Sequence, residues 1–193
     1  MALFSCAEID REKELYKFKA HEEKCARYIN EDTRIEIRVQ IGEMKMNQSV
    51  HFATDTRWHL HDLVVACIHH IGPCEMYFAT FAIKEYQARL ITGMKRDGLL
   101  TKITALLDYR NGTRDADAFQ LLKQNADEIG FILTHAKLTV LQNEKWSVVI
   151  AGSANFTSNT SADIGVITFS KEIADYRIQW IKKNIENGNK KTK

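Results

Sequence analysis

Apolar segments of strand length alternate with segments of helical periodicity over most of this chain, and this alternation restricts the fold more than any other feature of the sequence. The predicted strands cover residues 75–82, 100–107, 130–133, 135–141, 146–151 and 164–169. The predicted helices cover residues 57–71, 84–96, 116–125 and 171–186. Strands and helices that alternate at this spacing predict an α/β fold with a mixed or parallel sheet.

The first 48 residues do not share this alternation, and we predict that they form an N-terminal extension made of a helix and a strand. Residues 8–30 carry many charges between spaced apolar residues, which predicts an exposed, moderately amphipathic helix. Residues 34–41 alternate strictly between polar and apolar side chains, which predicts a strand with one wet face, suited to a sheet edge. Residues 42–55 are polar and are expected to be irregular.

Length and composition favour one main domain, which we place at residues 49–187, followed by a basic flexible tail at 188–193. A chain of 193 residues with 45% hydrophobic residues is long enough to bury one substantial core. The net charge of +2 means that a polyanion would have to bind at a local basic patch. No apolar run reaches the length of a membrane span, and the N-terminus does not resemble a signal peptide, so a cytoplasmic protein without a membrane partner is expected.

The cysteines and histidines do not predict a metal site or a cofactor. The four cysteines show no CxxC spacing and are expected to be free thiols. A metal site combining Cys67 and Cys74 with His69 and His70 is the weaker alternative, because Cys67 lies in an apolar helical run. We interpret His59, His61, His69 and His70 as surface or hydrogen-bonded residues, and we expect His59 and His61 not to face each other, because helical neighbours lie three or four residues apart.

Two neighbouring predicted strands carry polar clusters that suit chemistry at phosphorus. His135 and Lys137 lie two residues apart, so on a strand they would point to the same face. Gly152, Ser153 and Asn155 follow the next strand at a turn. An imidazole can attack phosphorus, and ammonium, hydroxyl and amide groups can neutralise the charge on the phosphoryl oxygens. Each residue alone is more often structural, but the combination favours a phosphodiester site.

The segments His135-Ala136-Lys137 and Gly152-Ser153-Ala154-Asn155 resemble the HxK…GSxN signature of the phospholipase D superfamily. The resemblance covers residues 56–170 and implies a phospholipase D-like α-β-α sandwich with a mixed sheet flanked by helices. It also implies metal-independent cleavage or transfer at phosphodiesters, with one histidine as nucleophile and a second as general acid. The implied catalytic residues are His135, Lys137, Ser153 and Asn155.

Two departures from the family pattern qualify this resemblance. The sequence contains a single H-x-K, so it is similar to the single-motif endonucleases, in which two chains pair across a two-fold axis. Gln142 stands five residues after Lys137, where the family usually has an aspartate, and this puts full activity in doubt. By resemblance Asp163 could bond the His135 ring and fix its tautomer, although an aspartate at the start of a strand could equally cap a loop.

The resemblance favours nucleic acid as the substrate, with DNA ahead of RNA, since the small single-motif members are nucleases more often than lipases. A nucleic-acid-binding homodimer with weakened catalysis is the main alternative, and a phospholipase or phosphatidyltransferase ranks last. Binding would be electrostatic and would weaken with salt. The candidate basic patch consists of Lys84, Arg89, Lys95, Arg96, Lys102, Arg110 and Arg114.

Overall fold

The computed structural model describes residues 6–158 and 161–191, and within them the chain forms one layered α/β structure. The helices are α1 (Cys6–Cys25), α2 (Glu31–Ile41), α3 (Leu60–Ile71), α4 (Glu85–Arg96), α5 (Asn111–Arg114), α6 (Ala116–Asn125) and α7 (Lys171–Lys191). The strands are β1 (Gln48–Ala53), β2 (Cys74–Thr80), β3 (Leu100–Asp108), β4 (Glu128–Ile132), β5 (Lys137–Gln142), β6 (Ser147–Gly152) and β7 (Ile164–Phe169). The strands and helices predicted between residues 57 and 186 are therefore confirmed, with ends that differ by a few residues.

The seven strands form a single mixed sheet in the order β1-β7-β6-β5-β2-β3-β4. Strand β3 runs parallel to β2 and β4, whereas all other neighbouring strands are antiparallel. Helix α7 covers one face through Ala174, Ile178, Ile181 and Ile185, and α3, α4 and α6 contribute to the core on the other face. Apolar side chains on both faces of the central strands explain why their sequences are apolar at almost every position.

Residues 34–41, predicted as an edge strand, instead belong to helix α2, so this prediction is wrong. Asn30 caps the helix by accepting a hydrogen bond from the N–H of Thr33 at 2.8 Å, and Gly42 ends it with a φ of 73°. Ile37 and Ile41, four residues apart, are buried, whereas Val39 is 79% exposed. The caps and the i, i+4 apolar pair therefore decide the structure, and the alternation of apolar residues does not.

The edge strand of the sheet lies in a segment predicted to be irregular. Strand β1 pairs with β7 over its whole length, from Gln48 opposite Phe169 to Ala53 opposite Ile164. The N-terminal extension is accordingly two helices, and its buried Cys25 and Ile37 join the same core as α3. At the other end α7 continues to Lys191, so most of the predicted flexible tail is helical, while Thr192 and Lys193 lie outside the described residues.

Helix α3 begins later than predicted, and this changes the relation between two histidines. His59 is the N-cap residue, with extended dihedral angles (φ −119°, ψ 167°), and the helix proper starts at Leu60. The His59 and His61 rings therefore stack, with centroids 5.2 Å apart and planes 19° from parallel. The expectation that these two rings cannot face each other is wrong, because it assumed that both residues were helical.

Candidate active site

The polar residues that suit chemistry at phosphorus meet on one side of the sheet, where several strands end. This side, the site edge, is distinct from the edge strand β1. Strands β2, β3, β4 and β6 end at this edge, while the antiparallel strands β5 and β7 begin there. Lys137 opposes Thr80 at the end of β2, and Gly152 opposes Gly165 near the start of β7. The topology thus brings together loops that are far apart in sequence, as is usual for sites on an α/β sheet.

His135 is exposed at this edge and lies beside Lys137. It precedes β5 by two residues, and the Lys137 Nζ lies 3.4 Å from each of its ring nitrogens. Burial lowers the pKa of Lys137, while the negative charge of Asp163 opposes that shift. An exposed imidazole next to a half-buried ammonium group is able to meet an incoming anion.

Phe81 connects the motif with two arginines whose place in the site the sequence did not indicate. Its ring centroid lies 4.7 Å from that of His135 and 5.4 Å from the Lys137 Nζ. The guanidinium carbons of Arg110 and Arg114 lie 5.1 and 4.2 Å from the same centroid. Such cation–π contacts hold positive charge over an aromatic face. Four basic side chains therefore surround one ring at the site edge.

Asp108, the last residue of β3, fixes Arg110 in this cluster. The carboxylate is fully buried and accepts two hydrogen bonds from the Arg110 guanidinium, at 2.6 and 2.8 Å. It also accepts a bond of 3.0 Å from the N–H of Thr134, the residue before His135. The Arg110 guanidinium lowers the pKa of Asp108 to about 2, although burial alone would raise it. Asp108 therefore positions both the arginine and the loop that carries the histidine.

On the other side of the site, Ser153 and Asp163 bridge the end of β6 and the start of β7. The Ser153 hydroxyl donates a hydrogen bond of 2.6 Å to the Asp163 carboxylate and accepts one of 3.1 Å from the N–H of Ile164. A Cβ atom at Gly152 would lie 2.4 Å from the Ile164 carbonyl oxygen, so only glycine fits there. The expectation that Asp163 bonds the His135 ring is not met in the structure, because its carboxylate is bonded to Ser153 instead.

Asn155 follows on the same loop, and its side-chain oxygen is buried. Among the described residues this oxygen has no hydrogen-bond partner. The adjacent Phe156 anchors the loop, since its N–H donates to the Ala82 carbonyl at 3.2 Å and its carbonyl accepts from Lys84 at 3.0 Å. A buried acceptor that lacks a partner costs about 1–3 kcal/mol, which a ligand group that donates a hydrogen bond to it would recover.

Gln142, the residue that departs from the family pattern, lies at the opposite end of β5. Five residues of strand separate it from Lys137, about 17 Å at about 3.4 Å per residue. Its amide donates to the Asp175 carboxylate of α7 at 2.9 Å and to the Ser147 hydroxyl at 3.2 Å. The doubt about activity that this glutamine raised therefore concerns a contact between the sheet and α7, far from His135.

Placing an aspartate at position 142 by Gln142→Asp is expected to lower stability without raising activity. The new carboxylate would face Asp175, where the Gln142 amide now donates a hydrogen bond. Two carboxylates at that distance repel each other. We expect a loss of about 1 kcal/mol in the free energy of unfolding at pH 7, measured by urea denaturation. Gln142→Glu serves as a second acidic variant, and Gln142→Asn as the neutral control of reduced length. A rise in turnover for Gln142→Asp would contradict this assignment.

The seven residues of the candidate basic patch do not form one surface. Arg89 and Arg96 pair with Glu85 and Asp97 on and after α4. Arg110 and Arg114 belong to the site, and Lys84 lies near it and pairs with Asp115 at 3.5 Å. Lys95 instead bonds Asp127, and Lys102 bonds Glu128 near the start of β3. The one signal for the site arginines was the polar loop at residues 108–112, which directly follows a predicted strand.

The sequence and the structure were also compared with known proteins. Neither a family model nor a curated protein matches this sequence. The structure is similar to the crystal structure of polyphosphate kinase from Porphyromonas gingivalis, with a TM-score of 0.51 and 14% sequence identity. The similarity covers 69% of this chain but 26% of the kinase, so this chain spans about a quarter of that protein. At this identity the similarity concerns the fold alone, which is a mixed seven-stranded sheet between helices, consistent with a phospholipase D-like α-β-α sandwich.

Proposed function

We propose that this protein is a metal-independent phosphodiesterase that cleaves nucleic acid, with DNA preferred over RNA. The observation that carries the proposal is the exposed His135 imidazole next to Lys137, Arg110 and Arg114 around the ring of Phe81. Positive groups fixed around a nucleophile can stabilise the charge on the equatorial oxygens of a phosphoryl group in transfer. The fold similarity to a polyphosphate kinase, an enzyme named for phosphate transfer, agrees with this broad class of chemistry.

The proposed reaction proceeds in two displacements. A ring nitrogen of His135 attacks phosphorus, the bond to one ester oxygen breaks, and a phosphohistidine forms. A general acid gives its proton to the departing oxygen. Water then attacks the phosphohistidine, loses a proton to the same group, now acting as a base, and releases the histidine. Lys137 and the Asn155 amide N–H₂ would donate to the phosphoryl oxygens. The Ser153 hydroxyl, whose proton goes to Asp163 in the free protein, would turn that proton toward a phosphoryl oxygen when substrate binds.

The general acid in this proposal is His135 of the partner subunit in a homodimer. A two-fold axis beside the site would place two equivalent histidines on opposite sides of one phosphodiester. Three large apolar side chains lie around the site edge and are strongly exposed, namely Tyr109 (57%), Leu133 (69%) and Ile164 (67%). Apolar groups exposed beside a functional site often mark an interaction surface, and a second copy of the chain would cover them.

Substrate class is tested by incubating the protein with single- and double-stranded DNA and RNA in EDTA, beside the His135→Asn variant. We expect cleavage of DNA in EDTA by the wild-type protein only, at rates that fall as salt rises. Long-chain polyphosphate with ADP forms a further arm, because transfer to ADP would replace the nuclease assignment with a kinase one. Loss of cleavage in EDTA with recovery in Mg²⁺ would contradict the metal-independent mechanism, and binding without cleavage would favour the weakened-binder alternative.

A lipid substrate is tested in the same assay with phosphatidylcholine vesicles. No helix in the part of the chain that the structure describes is long and apolar enough to cross a membrane. We expect no release of choline or phosphatidic acid, and no transfer to added alcohol. Hydrolysis of lipid at a rate equal to that of DNA would move the assignment to the phospholipase class.

An active site built by two chains predicts that the activity per chain depends on protein concentration. If two chains build one site, the rate per chain falls when dilution separates the dimer, whereas a self-sufficient monomer keeps a constant rate. Light scattering across the same concentrations gives the mass, and Leu133→Glu, at the apolar rim, is expected to shift both curves together. Lys19→Glu, on the exposed face of α1, provides a control for the charge change. A monomer by light scattering with full activity would contradict the shared site.

A further inference from the structure

A cluster of metal-binding side chains that the proposed reaction does not use lies at the start of α3. His59, His61 and Asp62 each place one ligand atom within 4.8 Å of the others. The Asp62 carboxylate approaches both rings, with Oδ2 3.5 Å from the His59 Nδ1 and Oδ1 3.8 Å from the His61 Nε2. Two imidazoles and a carboxylate around a common point form a set of donors typical of divalent transition metals.

The distances in the cluster are close to those that a bound ion requires. Zinc binds nitrogen and carboxylate oxygen at about 2.0–2.2 Å, so tetrahedral ligands lie about 3.4 Å from one another. The distances from Asp62 to the two rings exceed this value by a few tenths of an ångström. The three ligand atoms all lie within 4.8 Å of one another, so side-chain rotations that bring them closer by up to about 1.4 Å would close the site around an ion. Asp62 Oδ2 already accepts the backbone N–H of His59 at 2.8 Å, which fixes the carboxylate while Oδ1 faces His61.

His61 is buried and lacks a close hydrogen-bond partner among the described residues. It is 4% exposed, and its two polar contacts are 3.5 Å to the Gln87 amide and 3.8 Å to Asp62. Both distances exceed those of ordinary hydrogen bonds. A metal ion would bind the lone pair of the neutral ring.

Gln87 lies beside the His61 ring with a side-chain oxygen that is not satisfied by the described residues. It is fully buried, its Nε2 faces His61, and its Oε1 has no hydrogen-bond partner among the described residues. Metal-bound histidines usually donate their other ring N–H to an oxygen, which fixes the ring. A half-turn of the Gln87 amide would bring Oε1 to the His61 Nδ1–H while Nε2 of the ring binds the metal. The pocket thus contains an acceptor suited to the metal-bound form of the ring.

We propose that His59, His61 and Asp62 bind one divalent transition-metal ion, with Zn²⁺ as the best match, and that Gln87 positions the His61 ring. In the metal-free protein the Gln87 Nε2 donates a 2.7 Å hydrogen bond to the Ser158 hydroxyl, three residues after Asn155. After the half-turn of the amide, the hydroxyl would donate to Oε1 instead. A bound ion would therefore hold together the start of α3, the first turns of α4 and the loop after β6. Its role is to fix this loop, and it takes no part in the displacement at phosphorus.

The test measures Zn²⁺ binding directly and does not depend on any enzymatic activity. The metal-free protein is titrated with Zn²⁺ by calorimetry and with Co²⁺ by visible absorption, which reports four-coordinate nitrogen and oxygen ligands. Asp62→Asn keeps an acceptor for the His59 N–H but removes the anionic ligand, and His59→Asn keeps a good N-cap residue. His61→Gln and Gln87→Leu complete the set. His51→Asn, on the exposed face of β1, and His135→Asn, at the other site, serve as controls.

We expect one Zn²⁺ per chain for the wild type and both controls. Binding should be lost in His59→Asn and His61→Gln, and weakened about tenfold to a hundredfold in Gln87→Leu. Zn²⁺ should raise the melting temperature of the wild type but not of the ligand variants. Unchanged binding in His59→Asn and Asp62→Asn, with melting curves that show a folded metal-free protein, would overturn the proposal. Binding that is lost only in His135→Asn would overturn it as well.

Discussion

Replacing His135 by asparagine is expected to reduce cleavage of the preferred phosphodiester by about three orders of magnitude or more. In the proposed mechanism the variant loses the nucleophile of the first displacement and, in a shared site, the proton donor from the other chain. Asparagine keeps a polar side chain of similar reach, and position 135 is exposed, so the fold should be unaffected. Rates are measured with a fluorescent oligonucleotide under single-turnover conditions, where binding and chemistry can be separated.

Trapping of the covalent intermediate identifies the attacking residue. Quenching the wild-type reaction with alkali should leave labelled phosphate on the protein, because phosphohistidine survives alkali and is cleaved by acid. Peptide mapping should place the label on His135, and His51→Asn, an exposed substitution on β1, should retain it. Wild-type rates in His135→Asn, or a label on another residue, would show that the site lies elsewhere. A label on His61 would show that the metal-site cluster supplies the nucleophile.

Asp108→Asn is expected to lower the free energy of unfolding by about 3 kcal/mol at pH 7, the largest stability effect that we anticipate. The carboxylate is fully buried and accepts bonds from the Arg110 guanidinium and the Thr134 N–H. Asparagine would present an N–H₂ group to one of these donors, so one hydrogen bond from the Arg110 guanidinium to residue 108 could not form. Because Arg110 and the His135 loop lose their common anchor, the affinity for phosphate should also fall. Asp117→Asn, exposed on α6, should change stability by at most about 0.5 kcal/mol.

The pH dependence of this effect follows from the direction of the Asp108 pKa shift. The Arg110 guanidinium lowers the pKa of Asp108 to about 2, below its ordinary value of 3.8. A lowered carboxyl pKa stabilises the fold above the unfolded-state pKa, and this stabilisation is lost as the pH falls through the folded-state value. Urea denaturation from pH 7 to pH 2 should therefore show the wild type approaching Asp108→Asn below about pH 4. A constant difference across this range would mean that the ionised carboxylate is not the source of the stability.

The sequence predicted the central α/β framework because its signals there agree with one another. Apolar strands such as β2 (Cys74–Thr80) lie between helices with clear ends, and Gly72-Pro73 stops α3 as expected. In α2 the signals conflict. The alternation of Ile35 and Ile37 predicted a strand, whereas the Asn30 cap and the Gly42 stop favour a helix. Two residues that cap a helix stabilise it directly, while an alternating pattern only permits a strand.

The candidate site was predictable where a motif lies within one segment and unpredictable where the fold assembles it. His135, Lys137 and Ser153 were recognised from their spacing. Arg110 and Phe81 come from loops after two other strands, and only the order of strands in the sheet shows that these loops meet. Stacking of His59 on His61 also needed the structure, since it depends on the helix starting one residue after the first histidine.

Strand β5 carries the motif at one end and Gln142 at the other, and this separation affects how such chains are recognised. Gln142 bonds Asp175 of α7. A sequence pattern that requires an aspartate at position 142 therefore selects for a residue that contacts α7, and that residue does not take part in the candidate active site. If the proposed function holds, the two ends can vary independently, with stability responding to the Gln142 end and turnover to the His135 end. A search can require His135, Lys137 and the loop after β6 and allow any residue at position 142. Such a search would retain chains in which an amide on β5 bonds a carboxylate on α7.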